Sequence, residues 1–166
     1  MYKKPENFEQ VVLFLAQRLK DFQYAFRGTT GLVLQGLEMN VDDIDLLCDK
    51  NTALKCNELL NEFLEERVIF SESDKFKSYF GKFSVKGIPV EVMGEWQIKD
   101  TKDNWSNPFD ASTRVKVKLN NFDIYVTPVN EELTVFAKMG RWTAYQQIKK
   151  QIKKPGSKEE IQPAFF

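Results

Sequence analysis

Apolar positions recur at helical spacing in the first stretch of the chain. Phe8, Val11, Val12, Leu15, Leu19 and Phe22 share one face of a helix predicted over residues 6–21. The pattern then shortens to strand-like runs. Tyr24-Ala25-Phe26-Arg27 reads as a short strand ending on Gly28-Thr29-Thr30-Gly31, and Leu32 to Leu37 as a short helix with Thr29 or Thr30 as its N-cap. Val41–Cys48 is a second strand. Asn51 or Thr52 caps a helix to about Phe63, and Val68–Ser71 is a third strand.

The second half of the chain is richer in turns. Phe76 to Val85 carries scattered aromatics and leads to Lys86-Gly87, a hairpin turn signal, before a strand over Ile88–Met93. Residues 95–113 read as a long polar connection holding Trp96 and Trp105. Arg114–Leu119 and Phe122–Val126 alternate and are joined by Asn120-Asn121, a second hairpin signal. Val129 to Lys154 is helical with a break near Gly140, and a frayed tail is expected over about 155–166. The order predicts an α/β (α+β) chain: a mixed β-sheet with helices mainly on one side and a helical C-terminus. No repeat or linker divides residues 1–166, so a single domain is expected.

Composition narrows the chemistry. Lys plus Arg and Asp plus Glu are 24 each, so no net positive field favours tight duplex binding. There is no histidine. That removes Ser–His and Cys–His nucleophile systems and histidine zinc sites. Cys48 and Cys56 match no zinc spacing and are expected as reduced, packed thiols. No apolar run is long enough to span a bilayer, and Asn7 and Glu9 interrupt any signal-type run at the start. A cytoplasmic chain is the expectation. Catalysis, if any, must use carboxylates, lysines, arginines, hydroxyls and a borrowed metal ion.

The segment Val41-Asp42-Asp43-Ile44-Asp45-Leu46-Leu47-Cys48 places Asp43 and Asp45 on one face of a strand, with Ile44 and Leu46 on the other. Two anions on one face repel, and burying them unpaired is costly. A divalent cation relieves both, because Mg²⁺ takes carboxylate oxygens and keeps waters for substrate phosphates. In Ile88-Pro89-Val90-Glu91-Val92-Met93, Glu91 points opposite to the apolar residues. Beside Val41–Cys48 it would lie near both aspartates, and three such carboxylates can hold two metals. The bland alternative is an acidic strand end with Glu91 in water. Gly28-Thr29-Thr30-Gly31 sits where a strand meets a helix and suits either a phosphate or a tight capped turn.

Phe26-Arg27-Gly28-Thr29-Thr30-Gly31-Leu32-Val33-Leu34-Gln35-Gly36 followed by Asp43-Ile44-Asp45-Leu46 resembles the nucleotidyltransferase superfamily related to DNA polymerase beta, in its small stand-alone bacterial and archaeal branch. The resemblance covers residues 24–94 well and the late helices loosely. It implies a nucleotidyltransferase fold. It further implies that Asp43 and Asp45 bind Mg²⁺ (or Mn²⁺) and triphosphate, and that Glu91 completes the metal site and activates the acceptor. Gly28, Thr29 and Thr30 would hold phosphate, and Lys138 and Arg141 on the late helix would meet the nucleotide. Thr29 stands where the family has Gly or Ser, and Thr143 and Ala144 where small members often have Lys and Asp.

The expected activity is transfer of a nucleoside monophosphate from a nucleoside triphosphate, such as ATP, to a hydroxyl. The acceptor is left open as a small molecule, a protein or an RNA end. The rival reading is a non-catalytic binding module or antitoxin-like partner of the same fold, pairing with another protein or with itself. Lys149, Lys150, Lys153 and Lys154 read as a solvated face or as a contact for RNA. Trp96 and Trp105 read as plugs over the sheet edge or as base-stacking rings.

Overall fold

The computed structural model describes residues 1–153. Lys154 of the basic run and the tail expected over 155–166 lie outside the described residues. The elements are α1 (Phe8–Arg18), β1 (Tyr24–Arg27), α2 (Gly28–Leu34), β2 (Ile44–Cys48), α3 (Lys50–Leu59), β3 (Leu64–Glu72), β4 (Phe76–Val85), β5 (Ile88–Ile98), β6 (Val115–Leu119), β7 (Phe122–Val126), α4 (Val129–Lys138) and α5 (Trp142–Ile152). The strands form one mixed sheet in the order β3-β4-β5-β2-β1-β7-β6. β2 runs parallel to β5 and antiparallel to β1, while β1 runs parallel to β7.

Alternation along β2 decides which side of the sheet each residue serves. Ile44, Leu46 and Cys48 join Tyr24, Phe26, Val90 and Val92 in a core closed by Val11, Val12 and Leu15 of α1 and by Ala53 and Cys56 of α3. The opposite face carries Ala25, Leu47 and Met93 under Trp96 and under Val135 of α4. A third cluster joins Leu32 of α2 to Val129, Leu133 and Phe136 of α4 and to Ile148 of α5. The late helices are thereby fixed to the end of the sheet where β1 and β2 meet α2. Cys48 and Cys56 are buried free thiols, as expected.

Several boundaries differ from the sequence reading, each for a local reason. The regular part of β2 begins at Ile44, because Val41 gives its N–H to Lys3 O at 2.9 Å. α2 begins at Gly28 itself, with Arg27 in the cap position, so neither Thr29 nor Thr30 is the cap. α3 is capped by Asp49, whose side chain accepts from Thr52 N, in place of Asn51 or Thr52. That helix ends at Leu59, and a tight 3-10 turn over Asn61–Phe63 follows. β3 and β5 are longer than predicted, β4 spans the Phe76–Val85 stretch read before the hairpin turn, and β5 takes the first part of the expected long connection. The rest folds back on itself through the bridge pairs Trp96↔Phe109 and Lys99↔Trp105. The break near Gly140 is present, with a positive φ of 71° that suits glycine.

Candidate active site

Parallel pairing of β2 with β5 puts Asp45 opposite Glu91. Asp43 precedes β2 and lies one alternation back on the same side. Each of the three offers a carboxylate oxygen within 4.8 Å of the other two. The sequence reading required exactly this adjacency of strands, and the register supplies it. Asp45 and Glu91 line a cavity of about 450 Å³ with Arg27, Gly28, Thr29, Trp96 and Arg141 among others, and Asp43 lies beside them outside its lining.

Electrostatics make the cluster strained as it stands. Burial raises the Asp45 carboxyl from its ordinary 3.8 to about 7. Arg27 opposes that rise, and the charges of Asp43, Glu91 and Glu132 add to it. Asp45 Oδ1 is buried with no hydrogen-bond partner. Burial also raises Asp43, helped by Asp42, and raises Glu91, helped by Asp43. An orphaned buried oxygen among three crowded carboxylates fits a hard divalent cation.

Two groups missed by the sequence reading organise the site. Arg27 lies 3.7 Å from Asp45 Oδ2 and 3.2 Å from Glu132 Oε1, with its guanidinium 4.3 Å from the Trp96 ring centroid. Glu132, on the first turn of α4, is fully buried. Its Oε2 accepts the Gly28 N–H at 2.8 Å. One carboxylate from the C-terminal part of the chain therefore holds both the glycine turn and the arginine behind Asp45. Arg27 could have been noticed as the last residue of its strand, opposite Asp45 in an antiparallel pair. Glu132 left no such signal, since Glu131-Glu132 reads as an ordinary acidic first turn.

The proposed phosphate contacts separate on inspection. Gly28 has a positive φ of 63°, and a Cβ there would lie 3.0 Å from Asp45 Oδ2, so the turn needs glycine. Its N–H, however, is committed to Glu132. Thr29 lines the cavity. Thr30 is buried and gives its hydroxyl to Asp43 O at 2.8 Å, which fixes the Asp43 backbone and turns the side chain away from the cavity. Arg141 lines the cavity, whereas Lys138 does not and faces a neighbouring hollow with Lys99 and Asp100. Trp96 is only 7% exposed and stacks on Phe76, with centroids 5.8 Å apart. Trp105 sits away from the carboxylates, between the ammonium groups of Lys77 and Lys99.

No family model and no curated protein matches the sequence. Among solved structures, the chain is similar to a protein from Thermotoga maritima described as a "putative nucleotidyltransferase". The two share 26% identity and a TM-score of 0.77, over 90% of this chain and 94% of that one. The chain thus has the nucleotidyltransferase fold, and the superfamily resemblance carried by its glycine turn and Asp-x-Asp strand holds.

Proposed function

We propose that this protein is a metal-dependent nucleotidyltransferase that moves a nucleoside monophosphate from a nucleoside triphosphate to a hydroxyl acceptor. The observation that carries the reading is the meeting of Asp43, Asp45 and Glu91 within 4.8 Å, around a buried carboxylate oxygen that has no partner. These three would hold Mg²⁺ or Mn²⁺. Such an ion, when bound, neutralises charge on the transferring phosphoryl group and on the leaving oxygens.

The remaining work falls to the chain's own residues. The acceptor oxygen forms a bond to the α-phosphorus, the bond to pyrophosphate breaks, and the hydroxyl proton passes to a base. Glu91 would be that base. Burial and the charge of Asp43 raise its pKa, which brings a carboxylate closer to useful basicity at neutral pH. Thr29 and Arg141 border the cavity where phosphates would lie. Arg27 holds Asp45 from behind, and Glu132 holds Arg27 and the glycine turn.

The test is titration of each nucleoside triphosphate by calorimetry, with and without Mg²⁺. Replacing Asp43 and Asp45 together with Asn should abolish the Mg²⁺-dependent heat. Undiminished binding in that double variant refutes the site. A labelled-triphosphate transfer assay, with Asp45→Asn as control, then separates turnover from binding alone.

A further inference from the structure

α5 has two dissimilar faces. Ala144, Tyr145, Ile148 and Ile152 pack inward against α2 and α4. Trp142, Gln146, Lys149, Lys150 and Lys153 follow each other at helical spacing on the outward stripe and border a shallow hollow of about 650 Å³. Trp142 is 55% exposed and is held edge-on to Tyr145, with centroids 5.3 Å apart. An exposed tryptophan beside lysines offers a ring on which a base can stack next to cations that suit its phosphates.

Charge complementarity says what would. The chain is neutral as a whole, yet no acidic residue occurs between Glu132 and Glu159. Elsewhere Lys4, Lys55, Lys82, Lys116 and Lys118 each pair with a carboxylate. Among the described residues Lys149, Lys150 and Lys153 have no such partner, as is true of other surface lysines such as Lys20 and Lys86, but here three of them share one stripe of one helix. The start of the same segment reaches the candidate active site, where Arg141 and Ala144 line the carboxylate cavity. The 11-residue helix is about 16 Å long, enough to follow a few nucleotides of an extended strand.

We propose that the outward face of α5 docks a single-stranded nucleic acid, with the lysines on its phosphates and Trp142 stacked on a base, and so delivers its terminal hydroxyl to the Asp43–Asp45–Glu91 cavity. Stacking on an aromatic ring and backbone neutralisation together are how strands are held without sequence readout. The proposal rests on the transferase reading for its delivery step but not for its binding step.

The experiment is fluorescence anisotropy of a short labelled RNA oligoadenylate with the full chain, over a series of salt concentrations. Binding should appear at about 50 mM salt and weaken along a log–log line. Replacing Lys149, Lys150 and Lys153 together with Gln should flatten that line by about 2, from roughly 0.7 per lost phosphate contact. Trp142→Ala should weaken binding by about tenfold. The triple variant's melting temperature and triphosphate binding should stay at wild-type values, which separates loss of the surface from loss of fold.

No anisotropy change at low salt, or an unchanged salt slope in the triple variant, overturns the proposal. So does lysine-dependent binding to phosphatidylserine vesicles in place of the oligonucleotide. Asp45→Asn should bind the oligonucleotide as well as the wild type does. Wild-type binding without transfer to the oligoadenylate would overturn the delivery step while leaving the docking surface in place, and loss of Mg²⁺-dependent triphosphate binding would instead count against the transferase reading.

Discussion

Replacing Asp45 with Asn keeps the shape of the side chain and removes its charge. The charge is costly in the protein without a bound cation. The Asp45 carboxyl is raised from 3.8 to about 7, chiefly by burial. The folded protein therefore binds a proton at Asp45 more tightly than the unfolded chain does. Stability is gained as pH falls from about 7 toward about 4 and lost as pH rises through that window. A rise of about three pH units is equivalent to a ceiling of ~4 kcal/mol, at about 1.4 kcal/mol per unit.

That ceiling is already net of the 3.7 Å attraction to Arg27, and relaxation around the buried carboxylate discounts it by roughly half, so ~2 kcal/mol is the expected gain. For a chain of this size that is a rise in Tm of about 4–8 °C at about pH 8. At about pH 5 the folded wild type holds the proton while the unfolded chain is still largely ionised, so the gap between the two proteins should shrink by more than half. Thermal melts in a chelating buffer at both pH values are the assay. A variant that is no more stable than wild type at the higher pH refutes the account. A stability gain that persists unchanged at the lower pH refutes it as well. The same melts with Mg²⁺ should reverse the order, because a ligand at about 100 times its Kd adds roughly 2.7 kcal/mol to wild type alone.

Other predictions follow from neighbouring residues. Glu132→Ala leaves Arg27 and the Gly28 N–H without their buried partner and should cost about 3 kcal/mol by urea denaturation. Glu132→Gln, which keeps an acceptor for Gly28, should recover part of that loss. Gly28→Ala must place a Cβ 3.0 Å from Asp45 Oδ2 at a φ of +63°. It should therefore lower stability by about 1–2 kcal/mol and weaken Mg²⁺ binding measured by calorimetry. Arg141→Ala should weaken triphosphate binding by about tenfold, whereas Lys138→Ala should not, because only Arg141 borders the carboxylate cavity. Equal losses in those two variants would return Lys138 to the site.

What the sequence could reveal about this site was its faces, and what it could not reveal was its neighbours. Period-two alternation put Asp43 and Asp45 on one side and Glu91 opposite its apolar companions, and those assignments need no tertiary information. The adjacency of β2 and β5 does need it, since β3 and β4 intervene in the chain, but a familiar motif order stood in for it. Capping was harder to read. Asp49, Asn51 and Thr52 are all cap residues within four positions, and only the bond from Thr52 N to Asp49 selects among them. At Gly28 the expected threonine cap fails because a residue 104 positions away serves the amide instead.

Glu132 was illegible for the same reason, and it changes the charge balance of the site. Asp43, Asp45 and Glu132 lie around the guanidinium of Arg27, and Glu91 draws on Lys82 ahead of Arg27. Glu132 takes most of that cation, at 3.2 Å against 3.7 Å for Asp45. Asp45 is left with one weak pairing and one orphaned oxygen, and protonation is how the isolated chain can settle the deficit. A divalent cation would settle it without the proton. Proton and metal must then compete for Asp45, so Mg²⁺ affinity should climb as pH rises through about 7. An affinity indifferent to pH across that range would mean that the metal, if it binds, does not bind Asp45.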